Sequence, residues 1–189
     1  VGTALDVTPQ GSARMLGGYH VLEADFHVHS FPCGWATLSP WDTVIEPGRQ
    51  RLDVVALTPH NHTWVGTVGR SFSDLVGGPL VLAGEEIVSP SYHLLGVGIA
   101  STISHWQPAA GAIDEIHRQG GVAIAAHPYE PYWPAYDAAA LERLDGAELV
   151  RPESQAFDSL ASELHAFAGR GRFAANGASD YHGMGLLGY

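Results

Sequence analysis

The chain has 189 residues, 46% of them hydrophobic and 23 of them glycine, which suits one compact domain with a sizeable core and leaves no room for a second of ordinary size. Its net charge of −11, from 20 acidic against 9 basic residues, argues against a nucleic-acid groove, which needs cationic density along phosphates. All the basic residues are arginine, so Schiff-base chemistry and lysine-dependent phosphate loops are excluded, and Cys33, the single cysteine, excludes an intrachain disulfide.

Residues 1–22 read as an N-terminal extension and 23–182 as the core of a single domain over 1–189. The opening stretch lacks the basic start and apolar centre of a signal peptide, and no run of 18 apolar residues occurs, so a cytoplasmic protein without membrane association is expected. The first strand candidate, "EADFHVH" (23–29), spaces Asp25, His27 and His29 two apart, which puts all three on one face. Two imidazoles on one face suit a divalent metal. A helix starting at Ser39–Pro40 follows, with Pro47 expected to end or distort it. "DVVALT" (53–58) is the second strand and runs into Pro59, His60 and His62.

"PLVLAGEEIV" (79–88) carries Glu85 and Glu86, which strand parity sends to opposite faces. "HLLGVGI" (93–99) is headed by His93, and "PAAGAIDEIHRQGG" reads as a helix with Ala112, Ile113 and Ile116 on its buried side. "GVAIAAH" (121–127) ends on His127, and the proline and aromatic loop "PYEPYWPAY" (128–136) is expected to line something. "GAELVR" (146–151) ends on Arg151, "FDSLASELHAFAGRG" reads as a helix stopped by Gly169, and "RFAANGAS" (172–179) leads into Asp180 and His182.

Strands interleaved with helices indicate an α/β architecture with a mainly parallel sheet, and about seven strands suit a small or distorted barrel. Each polar residue has an ordinary reading alone, since a histidine at a strand end is commonly a satisfied loop residue. Five apolar strands that each deliver His, Asp or Glu to the same rim are poorly explained by chance, and in α/β barrels that rim holds the active site. His20, His105, His117 and His165 fall outside the pattern and read as surface or helix residues.

The motifs "DFHVHS", "LTPHNH", "GEEI" followed by "YHLLGVGI", "GGVAIAAHPY" and "ASDYH", in this order over residues 24–182, resemble the PHP family of metallohydrolases, the polymerase and histidinol phosphatase type. The likeness is strongest to the branch that includes carbaryl hydrolases of the CehA and McbA type. The resemblance implies a distorted (βα)7 TIM-like barrel with two or three divalent ions at one rim. It implies that His27, His29, Glu86 and Asp180 bind a first metal, and Glu86, His93 and His127 a second, with Glu86 bridging. A third would take His60 and His182 together with an aspartate shortly after the HxH motif. Here Cys33 and Gly34 stand in that region, and Pro59 replaces the aspartate of the family's TDH motif, so two firmly held metals and a weak or empty third site are expected. Zinc, manganese and iron all suit histidine with carboxylate.

Such a centre implies hydrolysis by a hydroxide held between the metals, with no protein nucleophile. His62 or His182 would protonate the leaving group, and Arg151 would clamp a phosphate or carboxylate oxygen; His62 reads equally as a rim residue and Arg151 equally as a surface residue. Tyr129, Tyr132, Trp133, Trp64 and Tyr181 follow ligand segments and would form an aromatic wall. The expected substrate is a small organic phosphate ester. An aryl carbamate or carboxylic ester, or no substrate at all in a silent metal-binding module, are the alternatives.

Overall fold

The structure, a computed structural model, describes residues 14–152, 154 and 157–183. Residues 1–13 of the expected extension and 184–189 of the expected domain lie outside the described residues. Met15–Leu16 (β1) and Tyr19–His20 (β2) form a small antiparallel ribbon.

Ala24–Val28 (β3), Val54–Leu57 (β4), Leu80–Ser89 (β5), Tyr92–Val97 (β6), Val122–Ala125 (β7), Gly146–Val150 (β8) and Ala174–Gly177 (β9) make one seven-stranded sheet in sequence order. All seven lie in or across the apolar segments read as strands. Among the described residues, five helices with full bounds connect them: Asp42–Arg49 (α1), Trp64–Val76 (α2), Ala109–Arg118 (α3), Ala138–Arg143 (α4) and Asp158–Ala168 (α5).

The pairing departs from the expected repeat at one place. β6 runs antiparallel to both β5 and β7, whereas every other pair is parallel. Ser89 pairs directly with Tyr92, so β5 and β6 are joined by a two-residue turn, far shorter than the dozen or so residues a parallel crossover needs. No helix can fit there, and the described residues form a half-barrel with five helices rather than a full (βα)7 repeat. Beyond β9 the chain returns to β3. Val28 and Tyr181 form a parallel bridge in which the His29 N–H donates to the Tyr181 carbonyl at 2.8 Å and the Tyr181 N–H to the His27 carbonyl at 3.2 Å.

Pleat alternation divides the sheet into two faces. Val55, Leu57 and Val81 join Val44 of α1 and Val65 of α2 in one core, and Ile87, Leu94, Ala123, Ala125 and Ala147 join Ile113 and Ile116 of α3 and Phe167 of α5 in another. The residues between them in sequence, Ala56, Leu95, Val97 and Ile124, form a separate cluster on the concave face. By the same parity His27, Glu86, His93 and Glu148 belong to that concave face, whereas Asp25 lies across a register shift in β3 and pairs with Val55.

Local chemistry accounts for the helix boundaries. Ser39 and Asp42 cap each other at the start of α1: the Asp42 N–H donates to Ser39 Oγ, and the Ser39 hydroxyl donates to Asp42 Oδ2 at 2.6 Å. Pro47 sits inside α1, whose last residue is Arg49, so it shortens the helix without breaking it. Asp137 caps α4 by accepting the Ala140 N–H at 2.8 Å. Two helices, α2 and α4, were not read from the sequence. In α2 the cause is Gly66, which presents no side chain because a Cβ there would lie 2.5 Å from Ala83 Cα of β5. The helix ends at Gly77, whose φ of 69° is the left-handed conformation common at this position. Among the described residues no helix is long and apolar enough to cross a membrane.

Candidate metal centre

β3 sends His27 to the concave face, and His29 follows in the same parity just past its end; both are fully buried. β5 contributes Glu86, buried to 1%, from the strand beside β4. Asp180 comes from the segment that bridges back to β3. Four ligand atoms then converge: His27 Nε2 lies 3.2 Å from Glu86 Oε2 and 3.3 Å from Asp180 Oδ1, and His29 Nε2 lies 3.4 Å and 3.1 Å from the same two oxygens. Ligands about 2.05 Å from a tetrahedral zinc stand about 3.3 Å apart. The observed separations match those of a first coordination shell. Neither His27 Nε2 nor His29 Nε2 makes an aligned hydrogen bond, although both are buried beside carboxylate oxygens. Buried imidazole nitrogens left this way are costly unless a cation takes their lone pairs. The four residues therefore fit a divalent metal.

A second group shares Glu86. Its other oxygen, Oε1, lies 2.8 Å from His93 Nδ1 and 3.0 Å from His127 Nε2. His93 reaches this rim because β6 is reversed: it stands near the start of its strand, where the parallel strands have their ends. Glu86 thus offers one oxygen to each group, as a bridging carboxylate does. Glu85, one residue earlier, points to the helix side, where its Oε1 accepts the Ile103 N–H at 2.6 Å.

The surroundings fix the tautomers. His27 Nδ1 donates to Glu148 Oε1 at 2.7 Å, leaving Nε2 for the metal, the arrangement seen in many histidine sites. Glu148 Oε2 accepts the His127 N–H at 2.7 Å and an Arg151 N–H at 2.8 Å, and Arg151 also donates to Asp180 Oδ2 at 3.0 Å. Cys33, buried at 4%, lies 3.3 Å from His29 Nδ1 and accepts the His60 N–H at 3.2 Å.

Without an ion, protons carry the positive charge that this cluster needs. Burial opposes a charge on His27, but Glu148, Asp180 and Glu86 overcome it and raise its pKa well above the imidazole range. Burial also pushes the carboxylates upward, yet His27 and the neighbouring imidazoles hold both Glu86 and Asp180 well below their ordinary values. For His29 burial prevails and lowers the pKa to about 4, so its Nε2 keeps a free lone pair near neutrality.

His60 stands at the rim, with Nε2 3.1 Å from Glu86 Oε2, and groups with His29 and Cys33. His182 stacks on His29 with ring centres 3.8 Å apart and lines the cavity, but joins none of the ligand groups among the described residues. His62 hydrogen-bonds the His60 carbonyl at 2.7 Å and stacks on Trp64, and it does not line the cavity. Arg151 does not face the rim as a clamp: it is 2% exposed, and its guanidinium is bound to Glu148 and Asp180. Asp25 stays out of the ligand groups and accepts the His27 N–H at 3.1 Å.

The cavity over the ligands has a volume of about 150 Å³ and is walled by Trp35, Tyr129 and Tyr132 beside the metal-site residues. Trp64, Trp133 and Tyr181 are absent from that wall. Trp133 instead lines a larger cleft of about 560 Å³ with Glu130, Glu163 and Arg170, which contains none of the ligand residues. The sequence reading missed Glu148 and Trp35. A lone carboxylate inside the apolar strand "GAELV" is a signal for the first, because a buried charge demands partners. Nothing local marks the second.

A protein from Methanocaldococcus jannaschii, the uncharacterized protein MJ1587, is 30% identical to this chain over 140 residues, covering 68% of the chain and 81% of the relative. The chain belongs to the family of this archaeal protein. No protein-family model matches it. Two solved structures share the fold of the family member described here. One is a two-domain protein from Bacteroides vulgatus containing a predicted PHP-like metal-dependent phosphoesterase (TM-score 0.65, 21% identity, 89% of this chain). The chain spans about half the length of that protein, 54%. The other is an amidohydrolase from Chromobacterium violaceum, solved with sulfate and no metal (TM-score 0.65, 17% identity, 85% of this chain and 87% of that one). The fold of these two proteins and a candidate site for divalent metal therefore stand together in this chain.

Proposed function

We propose that the chain is a metal-dependent hydrolase of the PHP type that cleaves a small organic phosphate ester, with two firmly held divalent ions and a weak third position. The observation that carries this reading is the sharing of Glu86 between two ligand groups, His27, His29 and Asp180 on one side and His93 and His127 on the other. Bound there, a pair of divalent ions supplies Lewis acidity and lowers the pKa of water towards neutrality. The remaining work falls to the protein's own side chains. Burial of His27, His29 and Glu86 keeps bulk water from competing for the ligand atoms. His182 lines the cavity with Nδ1 donating to the Asp180 carbonyl at 2.9 Å, so Nε2 is the nitrogen that, in the imidazolium form, would pass a proton to the leaving group. His62, outside the cavity, is a rim residue in this reading.

A cavity of about 150 Å³ admits a phosphoryl group and little more. The rest of the ester lies across Trp35, Tyr129 and Tyr132. That aromatic mouth is also what favours a second reading, hydrolysis of an aryl carbamate or carboxylic ester in the manner of the carbaryl hydrolase branch. Aryl phosphate mono-, di- and triesters and an aryl carbamate, assayed with Mn²⁺, Zn²⁺ or Fe²⁺, separate the two. The expected result is metal-dependent turnover of a phosphate ester that is abolished in Asp180→Asn. Preferential carbamate turnover would establish the second reading, and no turnover on any member would leave a silent metal-binding module.

A further inference from the structure

Glu148 lies outside both ligand groups, yet it touches residues of each. It is fully buried on β8, a strand that contributes no metal ligand, and its two carboxylate oxygens divide their work. Oε1 accepts from His27 Nδ1 at 2.7 Å, which aims His27 Nε2 at the first site. Oε2 accepts the backbone N–H of His127 at 2.7 Å. That second bond matters because His127 has a φ of 27°, a backbone conformation that a residue with a side chain rarely adopts and that needs outside support to persist. The Glu148 bond restrains the peptide that sends the His127 ring to the second site. Arg151 closes the arrangement: one N–H binds Glu148 Oε2 at 2.8 Å and another binds Asp180 Oδ2 at 3.0 Å, so the same buried carboxylate reaches a second ligand of the first site through the arginine.

From this geometry we infer that Glu148 is the shared positioning residue of both metal sites, holding His27 by its ring, His127 by its backbone and Asp180 through Arg151. The inference rests on the two-metal reading above. It assigns Glu148 no contact with substrate or metal. Its removal loosens both sites together, although the sites lie on different strands and use different histidines. Partners of this kind commonly change metal affinity by about 10–100-fold.

The test is Glu148→Gln, which preserves shape but replaces one of the two acceptor oxygens with a donor, so that the His27 Nδ1–H on one side and the His127 and Arg151 N–H groups on the other can no longer all be accepted. Glu85→Gln, which removes a buried carboxylate on the other face of β5, serves as the control. Zn²⁺ and Mn²⁺ binding is measured by calorimetry and by chelator competition, beside the melting temperature of the metal-free proteins. The expected result is two sites in the wild type and in Glu85→Gln, with both sites of Glu148→Gln weakened about 10–100-fold in protein that still melts cooperatively. Glu148→Asp, which keeps both acceptors on a shorter stem, is expected to recover part of the loss. Unchanged affinity in Glu148→Gln, or weakening of one site alone, overturns the inference while leaving the two-metal reading intact. A fall in melting temperature with wild-type metal affinity in the folded protein shows a structural role and overturns it as well. Failure of the wild type to bind metal removes the two-metal reading itself, and the inference with it.

Discussion

Glu85 provides a quantitative check on the placement of the two adjacent glutamates. It is fully buried on the helix side of β5, and burial, only partly offset by the Ile103 N–H, raises its pKa from 4.5 to about 7. The folded protein therefore keeps a proton that the unfolded chain releases. Stability from this group is fully present below pH 4.5, declines as pH rises towards 7, and is lost above that. At 1.36 kcal/mol per pH unit, the loss is about 3 kcal/mol. Glu85→Gln retains an oxygen to accept the Ile103 N–H but carries no charge at any pH. Urea unfolding of the metal-free proteins at pH 4.5 to 8 should show the variant gaining about 3 kcal/mol on the wild type across that interval. Other titrating groups are common to both proteins and cancel in the difference. Parallel stability curves would refute the reasoning, because they would mean that Glu85 ionises in the folded protein as it does in water.

Gly66→Ala puts a methyl group 2.5 Å from Ala83 Cα and 2.8 Å from its Cβ, so α2 must move off β5. A cost of about 1–3 kcal/mol is expected, read as a melting temperature lower by roughly 2–12 °C. Metal at about 100 times its Kd should add about 2.7 kcal/mol for each site filled, measured as a rise in melting temperature that a chelator reverses. That rise should be smaller at pH 6 than at pH 8. His27, whose pKa in the metal-free protein is raised well above the ordinary imidazole value, holds a proton that the ion must displace, and displacement becomes harder as pH falls.

Much of the site was legible because strand parity is a strict rule. Once "EADFHVH" is read as a strand, His27 and His29 share a face, and "GEEI" must separate its two glutamates. The direction of β6 was not legible in the same way, since an apolar run reads alike in either direction; the two-residue turn that reverses it lies in "SPSY", between two segments that each look like ordinary strands. Arg151 shows another limit. Its position at the end of "GAELVR" suggested a rim residue, but guanidinium direction depends on partners, and Glu148 and Asp180 draw it inward. The helix at Trp64–Val76 was obscured because Gly66 and Gly69 lower its helical signal. Those glycines face the sheet, where a side chain at Gly66 would strike Ala83 and one at Gly69 would strike Leu57. Trp35 stands in a loop with φ of 62°, and no periodic pattern points to it.

The bridge between Val28 and Tyr181 makes one half of the centre depend on a contact between the two ends of the sheet. Glu86 and His93 belong to one hairpin and meet as soon as β5 and β6 pair, with little chain to close. His27 and His29 must wait for Asp180, which arrives only when the far end of the sheet returns to its first strand. In chain order Glu86 and His93 therefore precede His127 and, by a longer stretch still, Asp180. An ion captured early would sit on an incomplete set of ligands, and the shell around His27 and His29 would become a late marker that the chain has joined its ends.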